Sequence, residues 1–220
     1  MQLKEWKHLG KNLCLSILAV TVSTVLFAQQ YPKKFSTGIE LGLLATQVDG
    51  DSYGGYDKAS LEAHLMLFTN SRSAVTWNFG IGAAQRGSFF KSDPKTGVNR
   101  TYKIALHYLS VPVNMRIELG EQLINKKRYQ FFTQIGPQFM FNIGAYEKDE
   151  SGRLNGRPEF QKFTFDGHIR IGIQQEKWSF DMGFGYSLRN IREMPSPILI
   201  YDSNKRQHNK LVGLRFSYKL

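Results

Sequence analysis

The sequence predicts an all-β fold: an eight-stranded antiparallel up-and-down transmembrane β-barrel preceded by a cleaved N-terminal signal peptide. Three observations lead to this prediction. Apolar and polar residues alternate with a period of two from Phe35 almost to the C-terminus, which is typical of two-faced strands. The apolar run that approaches membrane length lies at the N-terminus, which excludes a multi-helix membrane protein. Tight turns alternate with long polar loops, as in exported barrels.

The N-terminus has the composition of a secretory signal peptide. A lysine-rich start precedes an uncharged apolar stretch over 13–27, which is shorter than the roughly 20 residues of a spanning helix. We therefore expect residues 1–28 to be a cleaved signal peptide, 29–34 a short lead, and 35–220 the barrel domain. Cys14 is the single cysteine and lies in the cleaved segment, so disulfides and thiolate chemistry are excluded from the mature chain.

Each of eight runs places apolar residues on one face and polar residues on the other. In chain order the apolar faces run from Phe35 to Leu43, Leu61 to Leu67, Val75 to Ala83, Leu109 to Ile117, Phe131 to Ile143, Phe163 to Ile173, Trp178 to Tyr186, and Val212 to Leu220. The fourth run has the opposite parity before Leu109, because Ile104, Leu106 and Tyr108 are even-numbered. We expect a β-bulge near Tyr108 that inserts one residue and switches the faces.

The breaks between the runs differ in length. Tight breaks fall at 70–73 and 175–177, long polar ones at 47–58, 91–101, 147–162 and 192–208, and the break at 120–128 is an exception to the alternation by its length. Short turns at one end and long loops at the other are typical of a barrel exported to a membrane.

The polar face carries charges that nearly balance. Alternation alone does not distinguish a soluble, lipocalin-like periplasmic carrier with an apolar interior from a membrane barrel with an apolar exterior. The polar face is rich in glycine and poor in lysine, which favours the crowded interior of a small barrel, and buried ions must pair. We therefore predict a structural charge network in the lumen, formed by Glu40, Glu62, Arg86, Arg116, Glu118, Asp166, His168, Arg170, Asp181, Arg189 and Arg215.

Aromatic residues on the apolar face cluster near the strand ends, where the two interfaces of a bilayer select them. The predicted lipid-facing girdle consists of Trp77, Tyr129, Trp178, Tyr186 and Tyr218. These features favour the membrane barrel, while the soluble periplasmic carrier stays as an alternative.

Four segments follow one another in an order found in a known family. They are Gly38 to Asp51, Tyr108-Leu109-Ser110-Val111-Pro112, Gln134-Ile135-Gly136-Pro137, and Tyr186-Ser187-Leu188-Arg189-Asn190-Ile191. In these segments the chain resembles the PorT-like outer-membrane β-barrel family over about residues 35–220. The resemblance implies location in the outer membrane of a Gram-negative cell and surface loops, and no activity common to the family. A member of similar type is associated with protein secretion across the outer membrane, which raises an accessory role with an envelope or secretion-system partner. Ser110 replaces the family's usual acidic residue, and Leu220 stands where barrel-insertion signals usually end in an aromatic residue.

The sequence predicts no catalytic residue, no cofactor and no metal site. His64 shares a face with Glu62, but a metal site would need a third convergent ligand. A lipid-modifying enzyme, an acyl hydrolase, stays as an alternative function because His107 lies near the loop end. Ser110 follows three residues later, on the opposite face.

A net charge of +11 would ordinarily suggest nucleic-acid binding. The chain contains no recognition module, and export makes that function irrelevant. Most of the charge falls in turns and loops, which favours contact with anionic lipid head groups. The predicted partners are therefore outer-membrane lipid and an envelope protein, with no nucleic acid.

Overall fold

The computed structural model describes residues 35–51, 55–70, 73–91, 101–124, 126–153, 159–193 and 206–220. The predicted signal peptide and lead, over 1–34, lie outside these ranges and stay predictions. Within the described ranges, no helix has the length and apolar character needed to cross a membrane.

Eight long strands form a closed antiparallel ring. They are β1 (Phe35–Asp49), β2 (Lys58–Thr69), β3 (Val75–Phe90), β4 (Tyr102–Ile124), β5 (Lys127–Asp149), β7 (Phe163–Gln175), β8 (Trp178–Ser187) and β10 (Arg206–Lys219), while the two-residue strands β6 (Gly152–Arg153) and β9 (Arg192–Glu193) pair with β5 and β10. Each long strand pairs with the next along the chain, and β1 pairs with β10 from Gly38↔Lys219 to Asp49↔His208. The predicted eight-stranded up-and-down barrel is confirmed.

The outward side chains are apolar and exposed, and the inward ones are polar and buried. Leu43, Leu61 and Leu65 expose 59, 60 and 63% of their surface, whereas the neighbouring Glu40 and Glu62 each expose 3%. A band of exposed aliphatic side chains is unfavourable in water, at about 25 cal/mol per Å², but is the outer surface that lipid requires. The faces are therefore the reverse of those in the lipocalin-like alternative.

The break over 120–128 is a hairpin rather than a loop. β4 and β5 stay paired as far as Ile124↔Lys127, although β3 pairs with β4 only to Ile117 and β7 with β5 only to Gln130. Seven residues of β4 (118–124) and three of β5 (127–129) therefore extend beyond the pairing with β3 and β7, lengths of roughly 23 and 10 Å at the usual rise per residue. The hairpin lies at the end of the tight turns, which is the periplasmic end in outer-membrane barrels.

The β4–β5 register shifts between His107 and Tyr108, where the bulge was expected. However, the extra residue lies in β5, because His107 pairs with Gly144 and Tyr108 with Asn142. β4 pairs with β3 in one continuous register, and Tyr108 is buried in the lumen. The expected switch of faces in β4 is thus wrong: β5 switches instead, which turns Glu147 inward.

Gly82 lies where the backbones of β2 and β3 approach too closely for a side chain. A Cβ atom at Gly82 would lie 1.9 Å from the Ala63 carbonyl oxygen, whereas a Cβ at Gly144 would meet its nearest neighbour at 3.9 Å. We expect Gly82→Ala to lower the free energy of unfolding by roughly 1–3 kcal/mol through overpacking.

The matched control is Gly144→Ala, which changes the unfolded chain in the same way and meets no clash. Urea unfolding in lipid vesicles, followed by heat-modifiable electrophoretic mobility, compares the two variants. Equal stabilities would contradict the close approach of β2 and β3.

Candidate functional site

The middle of the lumen holds a cluster of buried polar side chains to which every long strand contributes. In strand order these include Glu40, Glu62, Arg86, Arg116, Gln138, Arg170, Asp181 and Arg215, and each exposes 3% or less of its surface. The period of two places these residues inward, since their neighbours in the strand face the exterior.

Glu62 accepts hydrogen bonds from two arginines. Arg215 Nε lies 2.5 Å from Glu62 Oε1, and Arg86 Nη2 lies 3.0 Å from Oε2. Arg86 Nε also lies 3.5 Å from Asp166 Oδ2, and Asp166 accepts a hydrogen bond of 2.6 Å from the hydroxyl of Ser187. These contacts join β2, β3, β7, β8 and β10 across the lumen.

A second group of ion pairs is centred on Arg170. Its Nη1 atom lies 3.0 Å from Glu40 Oε2 and 3.7 Å from Asp181 Oδ1. Glu40 also accepts a 3.3 Å hydrogen bond from the Ser217 hydroxyl, and its Oε1 lies 3.5 Å from Nδ1 of His64. Glu40, Glu62, Asp166 and Asp181 thus lie among arginines, which supplies the pairing that buried carboxylates require.

Two further predicted network members are buried without taking part in these ion pairs. His168 Nε2 lies 2.7 Å from the side-chain oxygen of Asn114. The guanidinium of Arg116 stacks 3.8 Å from the ring centre of Phe132. Both side chains occupy the lumen, and their share in its charge balance stays a prediction.

The last two predicted members lie at opposite ends. Glu118 is half-buried and, with Lys219, lines a polar cavity of about 280 Å³ at the periplasmic mouth. Arg189 is exposed, so its assignment to the lumen is wrong. β8 ends at Ser187, and the alternation that would have turned Arg189 inward ends with the strand.

An apolar layer fills the lumen on the loop side of the charges. It consists of Val48, Ala84, Tyr102, Ile104, Leu106, Tyr108, Met140 and Ile191, each exposed by 5% or less. The even-numbered apolar residues of β4 belong to this layer, which explains their opposite parity in the sequence. The interior therefore changes from polar to apolar along β4, without a change of face.

An ion pair that the sequence does not predict lies on the loop side of the apolar layer. Arg192 Nη1 lies 2.6 Å from Glu147 Oε2, its Nε donates to Gln207 Oε1 at 3.0 Å, and its guanidinium lies 4.2 Å from the Phe160 ring centre. Glu147 also accepts a hydrogen bond from the Tyr102 hydroxyl. Glu147 follows the β5 bulge and Arg192 follows a bend, so neither was placed inward by a period of two.

Ser110, His64 and Glu40 are arranged like a nucleophile, a base and an acid. His64 Nε2 lies 2.5 Å from Ser110 Oγ, but Ser110 is completely buried and its hydroxyl also accepts a 3.2 Å hydrogen bond from Gln138. This packing leaves no approach for a lipid ester. His107 is half-buried in the outer wall, so the structure does not bring it together with Ser110.

Glu40 supplies the third side chain near His64 and Glu62 that the sequence could not locate. The potential ligand atoms of these residues all lie within 4.8 Å of one another. Both carboxylates already bind arginine, and a metal ion would compete with those cations for the same oxygens. The arrangement is therefore suited to ion pairing.

The predicted girdle residues occur at both ends of the outer wall. Trp77 and Trp178 are 47 and 51% exposed, and the Trp178 ring centre lies 4.3 Å from that of Tyr218 at the end of the tight turns. Tyr186 stacks on His208, at 5.3 Å, near the loop end. Tyr129 lies in the projecting part of β5. Their contact with lipid stays a prediction.

A closed ring with an apolar exterior and a filled, charged interior defines the class of transmembrane β-barrels. A family model described as "outer membrane protein beta-barrel domain" matches residues 27–193. The chain belongs to this family, and it is located in the outer membrane.

Three solved structures are similar at low identity. Ail, the attachment invasion locus protein of Yersinia pestis, in complex with the heparin analogue sucrose octasulfate, is 12% identical over 85% of this chain and 99% of that chain, with a TM-score of 0.39. Neisserial surface protein A is 10% identical over 85% and 97%, with a TM-score of 0.42. OprG from Pseudomonas aeruginosa is 11% identical over 84% and 96%, with a TM-score of 0.40. A comparison with curated proteins finds no match.

We expect Arg170→Met to destabilise the barrel by roughly 3–5 kcal/mol, because it leaves Glu40 and Asp181 buried without their cation. Lys210→Met is the matched control, since the Lys210–Asp49 pair is 2.9 Å long but exposes 30 and 38% of its side chains. That exposed pair should contribute less than about 1 kcal/mol. Denaturant unfolding followed by tryptophan fluorescence measures both variants, and similar losses would show that burial of the Arg170 pairs is unimportant.

Proposed function

We propose that this protein is a non-conducting outer-membrane barrel with a structural and interaction role, accessory to the secretion of proteins across the outer membrane. The observation that carries the proposal is the filled lumen, where paired charges lie below an apolar layer. Eight strands leave an interior wide enough for side chains and little else. The function is therefore assigned to the two ends of the barrel and to its outer wall.

The projecting β4–β5 hairpin is the proposed contact for an envelope partner. Leu123 exposes 69% of its surface and lies beyond the last β5–β7 pair, Gln130↔Gln174, while Leu119 exposes 64% at the edge of the wall. Exposed apolar side chains on a projecting hairpin are typical of binding surfaces. Lys127 and Arg128 add positive charge beside them, which favours an acidic partner. The long loops at the other end are proposed as a second contact surface.

The secretion role rests on the PorT-like resemblance of four segments in the chain. A barrel that does not conduct can assist secretion by holding a machinery component at the membrane. The periplasmic hairpin is placed for such a contact, because periplasmic machinery would reach it without entering the bilayer.

Purified protein in planar bilayers should show no stable conductance on the nanosiemens scale, because the lumen is occupied by side chains. A 16-stranded porin reconstituted in the same lipid serves as the positive control. Stable nanosiemens steps that scale with the amount of inserted barrel would sink the non-conducting proposal.

A photo-crosslinking amino acid at Leu123 should capture a protein in intact cells if the hairpin binds a partner. The same amino acid at Leu65, which is 63% exposed in the lipid band, is the matched control and should capture no protein. The secreted protein fraction of cells carrying Leu119→Ser/Leu123→Ser should also decrease while the barrel remains folded. Identical adducts at both positions, or unchanged secretion, would count against the proposed contact.

A further inference from the structure

An apolar groove crosses the outer wall of the barrel, and its lining residues come from β1 to β5. Its volume is about 420 Å³. Ala63 and Ala83 form a shallow floor, while Leu61 and Ile143, exposed by 60 and 69%, stand beside it. The small residues thus create a recess within a band of large aliphatic side chains. Its width and chemistry suit a hydrocarbon chain that lies against the wall.

The recess forms where the β2–β3 ladder ends. The two strands pair only as far as Glu62↔Ala84, although β3 continues to Phe90 in register with β4. Above this point β3 approaches the lumen side of β1, since the Thr46 hydroxyl donates a 3.0 Å hydrogen bond to the Gly87 carbonyl oxygen. Gly87 has a φ of 132°, which glycine adopts readily. The outer surface above Ala84 is therefore open beside β2.

A cationic pocket of about 360 Å³ adjoins this groove toward the loop end. The two spaces share Gln85 and His107 as lining residues. Lys58 and Lys103 line the pocket. Lys148 lies outside the lining, directly opposite Lys103 in the β4–β5 ladder. Like charges in directly opposed positions are unfavourable, and neither lysine has an ion pair within 4 Å among the residues that the structure describes. The exposed carboxylate of Asp57 also lines the pocket.

The two spaces follow the order of an amphipathic lipid. The apolar groove lies nearer the middle of the strands, and the cationic pocket lies nearer the long loops, which face the cell surface in outer-membrane barrels. The ligand must therefore carry an acyl chain toward the bilayer centre and an anionic group toward the outer surface. In the outer leaflet of an outer membrane, lipopolysaccharide has this chemistry.

We propose that the groove and pocket together form a binding site for one lipopolysaccharide molecule. One acyl chain of its lipid A occupies the recess over Ala63 and Ala83. A lipid A phosphate lies between Lys103 and Lys148 and relieves their repulsion. His107 and Gln85, at the junction, are positioned to hydrogen-bond the sugar or the acyl ester.

The test uses the full chain, purified in detergent and titrated with hexa-acylated, bis-phosphorylated lipid A, with complexes counted by native mass spectrometry. We expect one lipid A per barrel. Ala83→Trp, which fills the recess, and Lys103→Gln/Lys148→Gln, which removes the two charges proposed to hold the phosphate, should each weaken binding about tenfold or more. Heat-modifiable mobility without lipid verifies that every variant folds.

Matched controls lie elsewhere on the same surface. Met182→Trp adds the same side chain in β8, on the opposite side of the ring, and Lys210→Gln removes a lysine in β10. Both should bind like the wild type. The proposal is overturned if no one-to-one complex forms, if Met182→Trp weakens binding as much as Ala83→Trp, or if phosphatidylglycerol or dephosphorylated lipid A binds as tightly as bis-phosphorylated lipid A.

Discussion

The two arginines that hold Glu62 are the contacts on which the rest of the barrel depends. Arg86 comes from β3 and Arg215 from β10, which lies beyond β1 on the other side of β2. A buried carboxylate without a cation costs several kcal/mol, and Arg215, one of the two cations of Glu62, reaches it only when the ring is closed between β1 and β10. Ring closure and charge pairing are therefore coupled. Each of the eight strands is held by backbone hydrogen bonds to its neighbours and by side-chain contacts in the lumen.

Lipid outside the ring explains why so much charge is inside. The outer faces must be apolar, so the alternation leaves every second residue facing a lumen too narrow for bulk water. Those positions can be filled by ion pairs, as around Arg170, or by apolar packing, as around Leu106. The chain uses both in successive layers. The charged layer joins distant strands through directional bonds, and the apolar layer seals the loop end.

The sequence was sufficient to predict the ring and much of its interior, because a period of two is a local property that each strand carries independently. It predicted the inward positions of Glu40, Glu62 and Asp181 without any knowledge of their partners. It failed where the period was interrupted, as at Glu147 after the β5 bulge and at Arg189 beyond the end of β8. It also failed for Leu106. The alternation predicts that β4 switches faces there, whereas Leu106 points into the lumen like the other even-numbered residues of β4 and packs in the apolar layer. The contact between His64 and Ser110 depends on positions 46 residues apart, which alternation does not encode.

The shape of the outer wall depends on how side chains pack inside the lumen. The apolar layer requires the upper part of β3 to lie close to β1, where Thr46 binds the Gly87 carbonyl group, and this ends the β2–β3 ladder at Ala84. A Cβ atom at Gly87 would lie 2.2 Å from the Ile104 carbonyl oxygen, so glycine permits the close packing on the β4 side as well. The recess on the lipid side thus results from the packing of β3 against β1 inside the lumen. A barrel of this size cannot admit a ligand between its strands, but the packing that excludes a ligand from the lumen provides a place for one on the wall.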